Sequence, residues 1–64
     1  MDVSRLVYMA HQVARNFAAQ GEDAAVAATA EHIRLFWDPR MKQAILAADR
    51  GRFSPIVSAA LERL

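Results

Sequence analysis

One stretch of this sequence decides the fold: His32-Ile33-Arg34-Leu35-Phe36-Trp37-Asp38-Pro39-Arg40-Met41. Proline disfavours helical geometry at the residue before it, but it suits the first position of a helix, where its missing N–H is not needed. Asp38-Pro39 therefore predicts that one helix ends and another begins here. The bulky apolar side chains before this break are more than one helix face can bury in a small chain, which indicates a surface for a partner.

The length of the chain limits its stability on its own. It has 64 residues and no cysteine, which excludes disulfides and thiolate metal sites. A chain of about 60 residues buries only roughly 60% of its unfolded surface, and small scaffolds usually gain stability from a disulfide, a metal or a partner. We therefore expect a single helical domain over residues 1–64 that gains its stability from near-ideal helices, from self-association or from docking onto a larger protein.

Charge and hydropathy indicate which partners are absent. The formal net charge is +1 with acidic and basic residues interspersed, so no long-range field attracts nucleic acid or an anionic membrane. The longest runs without Asp, Glu, Lys or Arg have nine residues, against about 20 for a helix that spans a bilayer. The first residues lack the apolar region of a signal peptide. We expect a cytoplasmic protein with neither a nucleic-acid nor a membrane partner.

The spacing of apolar residues predicts two longer helices before the Asp38-Pro39 break. The first covers about residues 4–19, and Gly21 closes it. The predicted inward residues of this helix are Val3, Leu6, Ala10, Val13 and Phe17. The second helix begins near Glu22 and Asp23, because negative charge is favoured at the positive end of the helix dipole. Its predicted inward residues are Val26, Ala30, Ile33 and Trp37.

Two N-cap signals begin the remaining helices. Asp38 is the predicted N-cap of a third helix over residues 39–49, which Gly51 closes, and Ser54-Pro55 repeats the signal for a short fourth helix. The predicted inward residues of these two helices are Met41, Ala44, Ile45, Ala48, Ile56, Val57, Ala60, Leu61 and Leu64. The sequence thus predicts an all-α fold, a small bundle of three to four short helices.

The residue types needed for catalysis or metal binding do not occur together. His11 and His32 are the only histidines and have no cysteine or suitably spaced acid beside them, so we interpret both as core or surface residues. The serines lack a histidine at motif spacing, and no glycine-rich loop is present to bind phosphate. We expect no catalytic, cofactor-binding or metal-binding residue, and therefore not an enzyme by itself.

Two interpretations of the apolar residues before the break stay open. At about 100° per residue, Leu35 points nearly opposite Ile33, so one core cannot bury both side chains. Either Phe36 and Trp37 belong to the core and Leu35 is a tolerated surface residue, or Leu35, part of Trp37 and Met41 form a docking patch.

The basic residues around the third helix allow a further alternative. Arg40, Lys42, Arg50 and Arg52 bracket this helix, but Arg40 and Lys42 lie about 200° apart and do not share one face. This spacing argues against a DNA-reading helix. Short helices joined by glycine-containing turns are nevertheless compatible with helix-turn-helix proteins, so a small helical regulator that binds DNA or associates with itself is the alternative function.

Two segments resemble a known family. They are Met9-Ala10-His11-Gln12-Val13-Ala14-Arg15-Asn16-Phe17 and Glu31-His32-Ile33-Arg34-Leu35-Phe36-Trp37-Asp38-Pro39-Arg40-Met41. Together they resemble the delta subunit of NAD-dependent, molybdenum-containing formate dehydrogenases, over roughly residues 3–48. The sequence departs from that pattern at His11, where we expect Asn, and at Leu35, where a basic residue is common.

The resemblance implies an accessory subunit. In this family the large alpha subunit holds the molybdenum cofactor and iron–sulfur clusters, and the delta subunit is thought to support quaternary structure or maturation. We therefore expect the chain to bind the alpha subunit and to hold no cofactor of its own. Because residue types that dominate interface energies are concentrated around Asp38-Pro39, we expect it to bind through the corner between the second and third helices. The expected partner-binding residues are Arg34, Leu35, Phe36, Trp37, Arg40 and Met41. When isolated, the chain is expected to be capable of forming a homo-oligomer through the same patch.

Overall fold

Helices make up the fold in the computed structural model, which describes residues 2–64 and contains no strand within them. The four α-helices of this range are α1 (Val3–Phe17), α2 (Glu22–Phe36), α3 (Pro39–Leu46) and α4 (Pro55–Glu62). Short 3-10 turns follow α1 at Ala18–Gln20 and precede α4 at Arg50–Arg52. The predicted all-α fold is confirmed. None of the helices in residues 2–64 combines the length and apolar character needed to cross a bilayer.

The helix starts follow the predicted caps. The Asp38 carboxylate accepts a hydrogen bond from the Met41 N–H over 2.9 Å, and Pro39 is the first residue of α3. The Ser54 hydroxyl accepts one from the Val57 N–H over 3.3 Å at the start of α4. Each cap satisfies an N–H group that has no partner inside the helix.

Gly21 separates α1 from α2. Its φ of 101° lies where side-chain-bearing residues are strained, and in residues 2–64 no other residue has positive φ. The Gly21 N–H donates to the Ala18 carbonyl over 3.2 Å, which ends the 3-10 turn. The α-helix itself ends at Phe17, about two residues before the predicted end, and Gly21 stops the 3-10 turn that follows it.

The prediction for the end of the third helix is wrong. Instead of continuing to residue 49, α3 ends at Leu46, and Gly51 lies inside the following 3-10 turn without positive φ. The Asp49 carboxylate accepts a hydrogen bond from the Gly51 N–H over 3.0 Å. Asp49 has an extended backbone and is the N-cap of this turn, so the predicted helix cannot include it.

All four helices contribute to one core. Its largest cluster of buried residues comprises Leu6, Ala10, Ala14, Ile33, Trp37, Ile45, Val57 and Leu61. A neighbouring cluster contains Val26, Ala30 and Ala60. The four predicted inward residues of α2 are all buried, so the prediction for that helix is confirmed.

The residues that α1 buries differ in part from the predicted inward residues. Leu6 and Ala10 are buried as predicted, whereas the predicted residues Val3, Val13 and Phe17 are only half-buried and Val7 and Ala14 are buried in addition. The reason is a second packing partner, since the segment before α4 also contacts α1 through His11 and Phe53, whose ring centres lie 6.4 Å apart. On α4, the prediction for Leu64 is wrong, because it follows the last helical turn and is exposed.

Candidate docking surface

At the corner between α2 and α3, consecutive side chains point in different directions. Helix α2 ends at Phe36, and the backbone of Trp37 and Asp38 is extended before α3 begins. Trp37 is 5% exposed and belongs to the core, whereas Phe36 is 73% exposed and Leu35 is 57% exposed. The corner therefore places the largest side chain inside the fold and two other apolar side chains on its surface.

The structure corrects each of the two interpretations at one aromatic residue. Trp37 is buried against the core, so its ring does not lie on the surface, and Phe36 does not belong to the core as the first interpretation required. Helix geometry accounts for both, because the Trp37 N–H still donates to the Ile33 carbonyl over 3.0 Å and Trp37 follows the buried Ile33 by one turn, whereas Phe36 points about 100° away. Met41 is half-buried and packs against the core cluster. Ile33 is fully buried while Leu35 is exposed, as the helix geometry predicted.

An apolar groove runs along α2 next to these exposed residues. Its volume is about 270 Å³, and its lining residues are Phe17, Ala28, Glu31, His32, Leu35 and Phe36. The His32 and Phe36 rings lie 4.9 Å apart between centres, one turn from each other on the helix. We name this feature the α2 groove.

Sequence reasoning missed four of the six lining residues. Ala28, Glu31 and His32 precede Leu35 at helical spacing, so the outer face of α2 was a signal that could have found them. Phe17 comes from α1, and its position beside α2 depends on how the two helices pack. No local signal in the sequence gives that position.

Basic groups surround the end of α2. Arg34 and Arg40 are exposed on either side of the corner. The Lys42 ammonium group donates a hydrogen bond to the Arg34 carbonyl over 2.9 Å. That carbonyl belongs to the last turn of α2, where a cation is favoured by the negative end of the helix dipole. Exposed positive charge is thus present near the C-terminal end of α2.

A second groove, also of about 270 Å³, lies between α1 and the start of α4. Its lining residues are His11, Ala14, Arg15, Ala18, Ser54 and Ile56. The His11 side chain is held at both nitrogens: Nδ1 lies 2.8 Å from the Val7 carbonyl, and Nε2 lies 3.0 Å from the Ser54 backbone nitrogen. A carbonyl accepts and a backbone N–H donates, so this arrangement needs a neutral imidazole with its proton on Nδ1. His11 therefore acts as a structural bridge between α1 and α4.

Metal-binding groups are not clustered in the described part of the chain. Within residues 2–64, no three His, Cys, Asp or Glu side chains come together where they could hold a metal ion.

The comparisons with known proteins identify one family. The family model described as "NADH-dependant formate dehydrogenase delta subunit FdsD" matches residues 5–61. No curated protein and no solved structure matches the chain. The matched range includes all of the α2 groove and the corner that follows it.

Proposed function

This chain belongs to the family of NADH-dependent formate dehydrogenase delta subunits, and we propose that it is a non-catalytic accessory subunit of a cytoplasmic complex of that kind. In this role it binds the large molybdenum-containing alpha subunit and stabilises the quaternary structure or assists the maturation of that subunit. The family match is the observation that carries the delta-subunit assignment. The surface chemistry of α2 and α3 supports the docking role.

The exposed apolar residues support a protein partner. Leu35 and Phe36 are adjacent, more than half exposed and continuous with the α2 groove. Contiguous apolar surface with a polar border is typical of interaction sites, whereas single exposed apolar residues are not. Arg34 and Arg40 are exposed on either side of the corner, and arginine suits interfaces because its planar group binds carboxylates in a bidentate manner and is weakly hydrated.

The proposed interface assigns different roles to the predicted residues. Leu35 and Phe36 are the apolar anchors, and Arg34 and Arg40 pair with acidic groups of the alpha subunit. Met41 lies at the edge of the patch. Trp37 is a positioning residue, because its buried ring fixes the corner from which Phe36 projects.

Co-purification tests the proposal. The chain is tagged and expressed with the other subunits of the complex, and the eluted proteins are identified with their formate dehydrogenase activity. Fixed stoichiometry with the active alpha subunit supports a permanent subunit. Recovery only with alpha subunit that lacks its cofactor supports the maturation role. Elution without the alpha subunit contradicts the proposal in both forms.

Surface variants then test the interface. We expect the double variant Leu35→Glu, Phe36→Glu to lose the alpha subunit, while Tyr8→Glu retains it. Tyr8 is a matched control because it is an aromatic residue, 65% exposed, on the face of α1 about 180° from Phe17. Circular dichroism shows whether each variant is folded. Retention of the alpha subunit by a folded double variant would contradict this interface.

A further inference from the structure

We propose that, in the absence of its larger partner, the chain forms a two-fold dimer in which the α2 helices of two copies lie antiparallel. In this arrangement Leu35 of each copy enters the α2 groove of the other. The inference uses only the residues of α2 and its groove, and it does not depend on the proposed function.

The shape of α2 suits pairing with a second copy. Ala24, Ala28, Glu31 and Leu35 follow one another at spacings of four, three and four residues, the pattern of a helix–helix seam. Small residues occupy the N-terminal half of this seam, and a large one occupies the C-terminal half. Antiparallel pairing in this way overlaps residues 29–36 of one α2 with residues 29–36 of the other. Each exposed leucine then faces the space above Ala28 instead of another leucine.

The charges of α2 favour the same arrangement. Glu31 borders the groove, and Arg34 lies exposed three residues later. A register that seats Leu35 between Ala28 and His32 of the second copy also brings Glu31 opposite Arg34 of that copy. The two-fold axis repeats this ion pair, so the contact is self-complementary as symmetric interfaces require. A parallel pair would instead bring like charges together.

The interface is small, so the dimer is weak and reversible. A stable complex buries roughly 800 Å² on each partner, over about 20–30 residues a side. The seam of α2 offers far fewer residues than this. We therefore expect dimers only at high protein concentration. Because the seam includes Leu35, docking on a larger partner through that residue separates the two copies.

Sedimentation equilibrium of the full chain, from micromolar to millimolar concentration, tests the proposal. We expect a monomer–dimer equilibrium with a dissociation constant that Leu35→Glu raises by about tenfold or more, which corresponds to the loss of one buried anchor. Tyr8→Glu is the control, and we expect it to leave the dissociation constant unchanged. Circular dichroism confirms that both variants remain helical.

A charge exchange tests the register separately from the apolar contact. Glu31→Arg places two cations opposite each other and Arg34→Glu places two anions, so we expect either variant to weaken the dimer several-fold. The double variant Glu31→Arg, Arg34→Glu restores opposite charges, and we expect it to recover most of the affinity. Double-variant affinity no better than that of the single variants overturns the antiparallel register. A chain that stays monomeric at millimolar concentration, including one that binds only a larger partner, overturns the dimer itself.

Discussion

The imidazole of His11 joins two helices that are far apart in the sequence, because its Nε2 accepts the backbone N–H of Ser54 over 3.0 Å. Ser54 is also the N-cap of α4, so the residue that donates to His11 is the one at which this helix begins. The other ring nitrogen faces the Val7 carbonyl at 2.8 Å, which fixes the ring on α1. The start of α4 is thereby tied to the middle of α1.

Removing this bridge should destabilise the protein. We expect His11→Ala to lower the free energy of unfolding by about 1–3 kcal/mol, since it leaves a half-buried N–H group without its acceptor. Urea unfolding followed by circular dichroism measures the change. Gln12→Ala, at the exposed next residue, is the control and should change the value by less than about 0.5 kcal/mol. Equal effects from the two variants would show that the bridge contributes nothing.

Adjacent aromatic residues at the corner should respond in opposite ways to truncation. We expect Trp37→Ala to cost about 3–5 kcal/mol, enough to unfold a marginal domain, because it empties a buried site. Phe36→Ala removes an exposed ring and should cost less than about 1 kcal/mol. Thermal unfolding of both variants measures the difference. A folded, fully stable Trp37→Ala variant is incompatible with the core described here.

Thr29 offers a stabilising substitution. Its side chain is fully buried, and within residues 2–64 its hydroxyl oxygen has no hydrogen-bond partner. Burying an unpaired hydroxyl is unfavourable, and valine has nearly the same shape. We expect Thr29→Val to raise the free energy of unfolding by about 1 kcal/mol, and Thr29→Ser to lower it because serine keeps the hydroxyl and loses a methyl group. Chemical denaturation of the pair decides this, and a less stable valine variant would contradict it.

The two glycines should differ in their tolerance of alanine. Gly21 has a φ of 101°, which strains any residue with a side chain, although the space around it is open. We expect Gly21→Ala to cost about 1–3 kcal/mol. Gly51 lacks such a φ, and an added Cβ would lie 3.5 Å from the Asp49 carboxylate oxygen, an ordinary contact. Gly51→Ala should therefore be nearly neutral, and a larger loss for Gly51 than for Gly21 in thermal unfolding would contradict this account.

Local chemistry explains which parts of the fold could be predicted from the sequence. Asp38 and Ser54 begin helices by accepting hydrogen bonds from residues three positions later. A few neighbouring residues are therefore enough to predict where these two helices start. The end of α3 was missed because the helical spacing of apolar residues continues to Ala48, beyond the last helical residue, Leu46.

The remaining features depend on packing between distant residues. The bond between His11 and Ser54 spans 43 positions, and Phe17 reaches the α2 groove only because α1 and α2 pack side by side. Apolar spacing could place Phe17 on the inward side of its helix, but it could not say that the ring would stay half-exposed at a groove. The exposure of Leu35 was predictable, since a helix cannot turn it and Ile33 to the same side.

The buried position of Trp37 also provides an optical probe. It is the only tryptophan of the chain and lies one residue from the exposed Phe36. Its fluorescence emission therefore comes from a single indole in an apolar environment, and unfolding exposes that indole to water and shifts the emission to longer wavelength. The protein thus contains a label-free reporter next to its proposed interface, and the same signal follows folding and the binding of a partner at the corner.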